Sequence, residues 1–124
     1  MAEIIPVEDK LRLQAYCLKF DAHFELSYSA YVAFDKGEAV GICLFETSDG
    51  LCSIKEILFS EEIKDTLIPF LLLRAVVHFA DGCDAKRIII EAQSVSPHLA
   101  ASAGFTVGDG EDHRIYYHKG YIDR

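Results

Sequence analysis

Glu56 is the carboxylate whose neighbours best equip it for chemistry. It lies in the run Leu51-Cys52-Ser53-Ile54-Lys55-Glu56-Ile57-Leu58-Phe59, whose composition is that of a strand. Strict alternation puts Cys52, Ile54, Glu56 and Leu58 on one face and Ser53, Lys55, Ile57 and Phe59 on the other. A carboxylate in line with apolar side chains is poorly hydrated, which favours proton uptake and suits a general base. The alternative is a carboxylate at a sheet edge, satisfied by Lys55 or by solvent.

Other residue types with chemical potential are less concentrated. His113 and His118 fall on opposite faces of one strand, which argues against a shared metal ion, and no metal site is expected. His78 lies on a helix that reads as buried and is assigned a hydrogen-bonded packing role. His98, just after Pro97, either caps a helix or lines a cleft. The four cysteines, Cys17, Cys43, Cys52 and Cys83, are widely spaced and form no C-x-x-C pair, so they read as buried, reduced thiols. The turn at Glu111-Asp112 is read as solvated. No Ser/His/Asp order, G-x-S-x-G element or Walker loop is present, so hydrolase and nucleoside-triphosphatase readings have no support.

These groups must be held by a small scaffold. The 124 residues suit one domain spanning 1–124, and 51% hydrophobic with 26% charged residues is a globular composition. Lys plus Arg is 12 and Asp plus Glu is 20, a net charge of -8. That balance excludes a nucleic-acid partner and disfavours an anionic membrane surface, while it would suit a cationic partner or an amine substrate. Met1 to Pro6 has no basic segment followed by a long apolar one, so it does not read as a signal peptide. Leu67 to Val77 is interrupted by Arg74 and is too short to span a bilayer. A cytoplasmic location is expected.

Along the chain, Glu8 to Phe20 reads as a short helix with Leu11, Leu13, Tyr16, Cys17 and Phe20 at helical spacing. Ala30–Phe34, Ala39–Glu46 and Leu51–Phe59 are strands joined by the turns Asp35-Lys36-Gly37 and Ser48-Asp49-Gly50, an antiparallel meander. Thr66 caps a long helix to about Ala80, ended by Gly82 and apolar most of the way round. Lys86–Ala92 is a β-branched run expected to be buried on both faces and parallel to the third strand. Ser96 and Pro97 start a short helix to Ala103 that stops at Gly104. Phe105–Val107 and His113–His118 form a terminal hairpin. The fold class is therefore α/β (α+β), with a mixed sheet, a β-α-β crossover, a short helix and a C-terminal hairpin.

This order of elements resembles the GNAT superfamily of N-acetyltransferases over about Tyr31 to Tyr117. Ile54 to Phe59 resembles the fourth strand of that fold. The helix carrying Leu72-Leu73 and Phe79-Ala80 resembles the one that follows its acetyl-CoA loop. Leu99 with Gly104-Phe105 matches the end of the family's Asn-x-x-Ala-x-x-Leu-Tyr-x-x-x-Gly-Phe segment. The resemblance implies an acetyl-CoA-dependent transfer to a small amine bound in the cleft, with Glu56 as the base. It places Leu58, Phe59, Lys64, Thr66, Leu67, Ile68 and Gln93 against acetyl-CoA or CoA.

The chain departs from the family at three points. The family holds the CoA pyrophosphate on [Arg/Gln]-x-x-Gly-x-[Gly/Ala] at the start of the long helix, where backbone N–H groups meet an anion. The matching segment here is Lys64-Asp65-Thr66-Leu67-Ile68-Pro69, with Lys64 for the basic residue but Leu67 and Pro69 for the two small ones. The phosphate loop is thus degenerate. The family's proton-donating Tyr aligns with Ala100, its Asn with Gln93 and its small Ala with Ser96; Tyr116 or Tyr117 could supply a phenol instead. About thirty residues precede the first expected strand, so one helix stands where the family has two. A second subunit would complete such an open site, so a homodimer is expected. The alternative function is an inactive binding, regulatory or dimerisation module on the same fold.

Overall fold

The computed structural model describes residues 2–60, 67–83, 85–91, 95–107 and 116–118. Its sheet is organised by two tight turns. Lys36 and Gly37 have φ of 54° and 82°, and Asp49 and Gly50 have φ of 51° and 79°. Two consecutive left-handed residues make the turn whose twist matches a hairpin, and Gly is suited to the second position.

Before the first turn a strand is present where none was expected. β1 (Ala2–Val7) pairs antiparallel with β2 (Ser29–Asp35), Ala2 against Asp35 and Val7 against Ala30. Pro6 and the brevity of the run concealed it; proline is tolerated because β1 is the edge strand and has a neighbour on one side only. α1 (Lys10–Lys19) is shorter than the expected 8–20 span. Asp9 begins it by accepting hydrogen bonds from the Leu11 and Arg12 N–H groups at 2.9 and 3.4 Å. Asp21, at φ 56°, turns the chain away at the other end.

The meander continues through β3 (Glu38–Ser48) and β4 (Leu51–Phe59), both antiparallel to their predecessors. α2 (Leu67–Gly82) then carries the chain over the sheet to β5 (Arg87–Ile90), which pairs parallel to β4 as expected. α3 (Pro97–Ser102) begins at Ser96, whose hydroxyl accepts from the Leu99 N–H at 3.1 Å, and Gly104 (φ 93°) ends it. β6 (Phe105–Val107) pairs antiparallel with β7 (Tyr116–His118), the expected hairpin. The seven strands lie in the order β1-β2-β3-β4-β5-β7-β6. Gly82 does not act as the expected left-handed cap. It is the last residue of α2, and the Cys83 N–H continues the hydrogen bonding to the Phe79 carbonyl at 3.1 Å.

Alternation along β2 and β3 sorts the core into two layers. Ala30, Val32, Ile42 and Leu44 meet Leu13 and Cys17 of α1. Ala33, Cys43 and Phe45 face the other way, against Leu72, Leu73 and Val76 of α2. Ala100, Ala103 and Phe105 extend that second layer. Phe45 anchors it, stacked on Tyr31 at 5.9 Å and edge-on to Phe79 at 5.2 Å. A Cβ on Gly41 would lie 3.1 Å from Phe59 Cδ1 and 3.2 Å from Leu72 Cδ1, so the lack of a side chain there lets α2 close on the sheet. α2 is less enclosed than its sequence implies. Leu67, Arg74 and His78 are exposed, and His78 therefore has no place in the core.

Truncating the anchor should be costly. Phe45→Ala is expected to lower unfolding stability by about 3–5 kcal/mol in urea titration, and a loss below ~1 kcal/mol would deny Phe45 its central role.

Candidate functional site

The pairing of β3 with β4 sets the position of Glu56. Leu44 lies opposite Glu56 and Phe45 opposite Ile54, so Lys55 is an extra residue in β4. This bulge resets the alternation. Cys52 and Ile54 belong to the α2 layer, and so do Ile57 and Phe59, while Leu58 belongs to the α1 layer. Glu56, opposite the α1-layer residue Leu44, turns with Leu58. The face expected from strict alternation is thus corrected: Glu56 parts company with Cys52 and Ile54. β4 is an internal strand, so the sheet-edge alternative also falls.

The bulge directly follows the last residue of β4 that pairs with β5. Their pairing runs from Leu51–Arg87 to Ile54–Ile90, after which β4 continues to Phe59. The Glu91 N–H still reaches the Ile54 carbonyl at 2.9 Å. Just past the last pair, Lys55 Nζ binds Glu91 Oε2 at 2.5 Å, and this hydrogen bond raises the Lys55 pKa against the opposing effect of burial. Lys55 is therefore engaged with Glu91. Glu56 Oε2 is buried and receives no hydrogen bond from any described residue. An orphaned buried oxygen of this kind is uncommon and calls for a partner.

Around Glu56 stand groups that sense its charge. Burial pushes the Cys17 thiol of α1 up, and Glu56 adds to the shift. Burial likewise pushes the Tyr28 phenol up; Lys55 opposes the shift, while Glu25, Glu46 and Glu56 reinforce it. Ser27 Oγ donates to Glu46 Oε2 at 2.5 Å, and His23 contacts Glu25 at 2.7 Å. The segment from His23 to Tyr28 thus brings a phenol and the Glu25 carboxylate near Glu56, and β3 adds Glu46. Tyr28 carries no signal in the sequence beyond its place in a polar stretch before a strand.

A separate feature lies between the start of α2 and α3. A cavity of about 440 Å³ is bounded by Leu67, Pro69, Phe70, Ser96, His98, Leu99 and Ser102. Ser96 is committed to capping α3, and Ser102 Oγ donates to the Leu99 carbonyl at 2.6 Å. His98 is exposed and lines the cavity, while Ser96 takes the capping role that was open to it. Another cavity of about 370 Å³ lies at the β1 edge among Glu3, Ile5, Arg12 and Lys36, with β2 and β3 between that strand and β4.

The other expected residues separate. Leu67 is 53% exposed at the cavity, whereas Ile68 is 3% exposed and packs in the core. Leu58 and Phe59 turn to opposite layers. Ala100 is fully buried among Ala103 and Phe105, where a methyl group offers no proton. Lys64, Thr66, Gln93 and His113 lie outside the described residues, as do the Glu111-Asp112 turn and the side chains of Tyr116 and Tyr117. Among the described residues no three His, Cys, Asp or Glu side chains gather as a metal site, and no described helix is long and apolar enough to cross a membrane.

Cys17, Cys43 and Cys52 are buried free thiols, but Cys83 is exposed, contrary to expectation. Desolvation pushes the Cys52 thiol up to about 12, and Cys43 further. A disulfide-exchange reagent near pH 8 should label one thiol quickly in the native protein and all four after unfolding. A raised thiol pKa stabilises the fold fully below the unfolded value and loses that contribution as pH rises through the folded one. Unfolding stability should therefore fall between pH 9 and about 12, and Cys52→Ala should flatten that decline.

No family model matches the sequence, and no protein of curated function matches it. Solved structures do match the fold. An IAA acetyltransferase from Bacillus cereus is 20% identical with a TM-score of 0.71, over 94% of this chain and 96% of the other. A Bacillus subtilis acetyltransferase in complex with CoA is 15% identical with a TM-score of 0.65, over 94% and 95%. An acetyltransferase of the GNAT family from Staphylococcus aureus is 14% identical with a TM-score of 0.66, over 95% and 98%. Identities this low speak for architecture alone, and the architecture is clear: over nearly its whole length, this chain has the fold of the GNAT acetyltransferases.

Proposed function

We propose that the protein is an acetyl-CoA-dependent N-acetyltransferase of a small amine, with Glu56 as its general base. The observation that carries this reading is the Glu56 Oε2, buried and unpartnered among the described residues, just past the last β4–β5 pair. The amine would approach from the α1 side, where Tyr28, Glu25 and Glu46 favour a cation. Glu56 takes a proton from the incoming ammonium, freeing the nitrogen lone pair to attack the thioester carbonyl, and the nitrogen's second proton leaves to solvent. The N–C bond forms, the C–S bond breaks, and the departing thiolate takes its proton from solvent, since Ala100 offers none. Leu58 and Phe59 at the end of β4 and Leu67 at the cavity would flank the CoA chain, and Lys64, Thr66 and Gln93 are proposed contacts from outside the described residues. A CoA complex among the structures of this fold supports the choice of donor.

The donor site fits CoA imperfectly. Pro69 removes an N–H from the first turn of α2, and Leu67 puts a bulky side chain where the phosphate-binding backbone should come close. One hydrogen bond lost to a charged group costs about 1.5–3 kcal/mol, or roughly tenfold to a hundredfold in affinity. These residues and Ala100 favour a second reading, a GNAT-fold module that binds or regulates without turnover.

Calorimetric titration separates the two. Binding of acetyl-CoA at micromolar concentration favours the enzyme, and no binding at millimolar ligand removes it. If binding is found, Glu56→Gln should abolish transfer to amines while leaving the affinity for CoA within about twofold. Undiminished turnover in that variant would take Glu56 out of the mechanism.

A further inference from the structure

We propose that the cavity between the start of α2 and α3 is a binding site for an uncharged, largely apolar small molecule carrying one hydrogen-bonding group. Its volume of about 440 Å³ falls within the ordinary range of small-molecule sites. Leu67, Pro69, Phe70 and Leu99 supply most of its described lining. Phe70 and Leu99 are partly buried and pack on the α2 layer, so the wall they form is anchored in the core. Leu67 is 53% exposed, an apolar side chain kept in water beside a concave apolar wall. A ligand that covered it would release that water, which is the general driving force for apolar binding.

The polar groups narrow the class. Ser96 Oγ accepts from the Leu99 N–H and Ser102 Oγ donates to the Leu99 carbonyl, so both hydroxyls are engaged with the α3 backbone. His98 brings an imidazole, which can donate at one ring nitrogen and accept at the other. A hydroxyl or amide on the ligand suits either role. No Asp, Glu, Lys or Arg is among the described residues of the lining. An ion entering there would give up hydration with no opposite charge to replace it.

An anion is opposed twice more. Pro69 has no N–H to offer from the first turn of α2. In the sequence just before that helix, Glu61, Glu62 and Asp65 outnumber Lys64. The inference goes beyond acetyl transfer and uses no group around Glu56. The cavity shares Leu67 with the proposed contacts to CoA, so the test reads ligand binding and not turnover.

The full chain is titrated with naphthol, an uncharged ring system with one hydroxyl, with naphthalene, which lacks it, with naphthoate, the corresponding anion, and with inorganic pyrophosphate. The chain contains no tryptophan, so the fluorescence of the ring probes is read without interference from an indole. Naphthol is expected to bind saturably, with an affinity that does not weaken as salt is raised. Naphthoate should bind at least ~tenfold more weakly, and pyrophosphate should not displace naphthol. Leu67→Asp, at an exposed position, should weaken naphthol binding at least ~tenfold without shifting thermal unfolding. His98→Leu should weaken naphthol by about two- to tenfold while naphthalene binds no less tightly, the mark of a lost hydrogen bond. Absence of saturable naphthol binding overturns the proposal, as does equally tight binding of naphthoate, displacement by pyrophosphate, or an affinity untouched by Leu67→Asp. Equal weakening of naphthol and naphthalene by His98→Leu would overturn the hydrogen bond to His98.

Discussion

The extra residue Lys55 in β4 is the constraint on which the arrangement of the site depends. Without it, period-two alternation would keep Glu56 with Cys52 and Ile54, under α2 and inside the larger apolar layer. With it, Ile57 and Phe59 return to that layer, and Glu56 crosses to the α1 side. The same place marks the end of the described pairing between β4 and β5. Lys55, displaced by the bulge, engages Glu91 just past the end of β5. One inserted residue thus separates the two charges that neighbour each other in sequence, and leaves one of them with a buried oxygen to satisfy.

A bulge of this kind needs a rigid frame. The two tight turns set the registers of β2, β3 and β4, and the packed layers on either side hold them. Phe45, next to the position where the register shifts, is locked between Tyr31 and Phe79, and Gly41 lets α2 settle close over β3. The layers differ in character. The α2 layer is thick and apolar, so its thiols at Cys43 and Cys52 are strongly disfavoured as thiolates. The α1 layer thins toward Glu56, where Cys17 and Tyr28 mark a change from core to a charged surface.

The side of the fold proposed to hold the acetyl donor carries a tension between architecture and residue choice. The crossover from β4 through α2 to β5 provides the helix start and cavity that a phosphate-bearing ligand could use. Leu67 and Pro69 make that start apolar and remove a donor, and Ala100 packs where a proton-donating side chain would be wanted. Geometry and chemistry diverge because the backbone path is set by burial of Leu72, Leu73 and Val76, which is indifferent to the residues at the mouth.

Much was legible in the sequence where the signal was local. Asp35-Lys36-Gly37, Ser48-Asp49-Gly50, Ser96-Pro97 and Gly104 are short-range commitments of backbone dihedrals and caps, and each acts in place as read. The apolar runs of β4, α2 and β5 likewise determined the β-α-β order, because burial on one or both faces leaves a periodicity in the chain. Three features did not follow from local pattern. β1 is a strand because β2 offers it an edge, although Pro6 argues otherwise. Gly82 stays helical as the last residue of α2, and the Cys83 and Ala85 N–H groups bond back to the carbonyls of Phe79 and Ala80. Above all, the direction of Glu56 depends on which residues of β3 face β4, a long-range register that no window of sequence contains. The sequence by itself determined the order of elements and the presence of a carboxylate in an apolar strand; only the tertiary structure decided which side of the sheet that carboxylate serves, because a bulge is a property of two strands together.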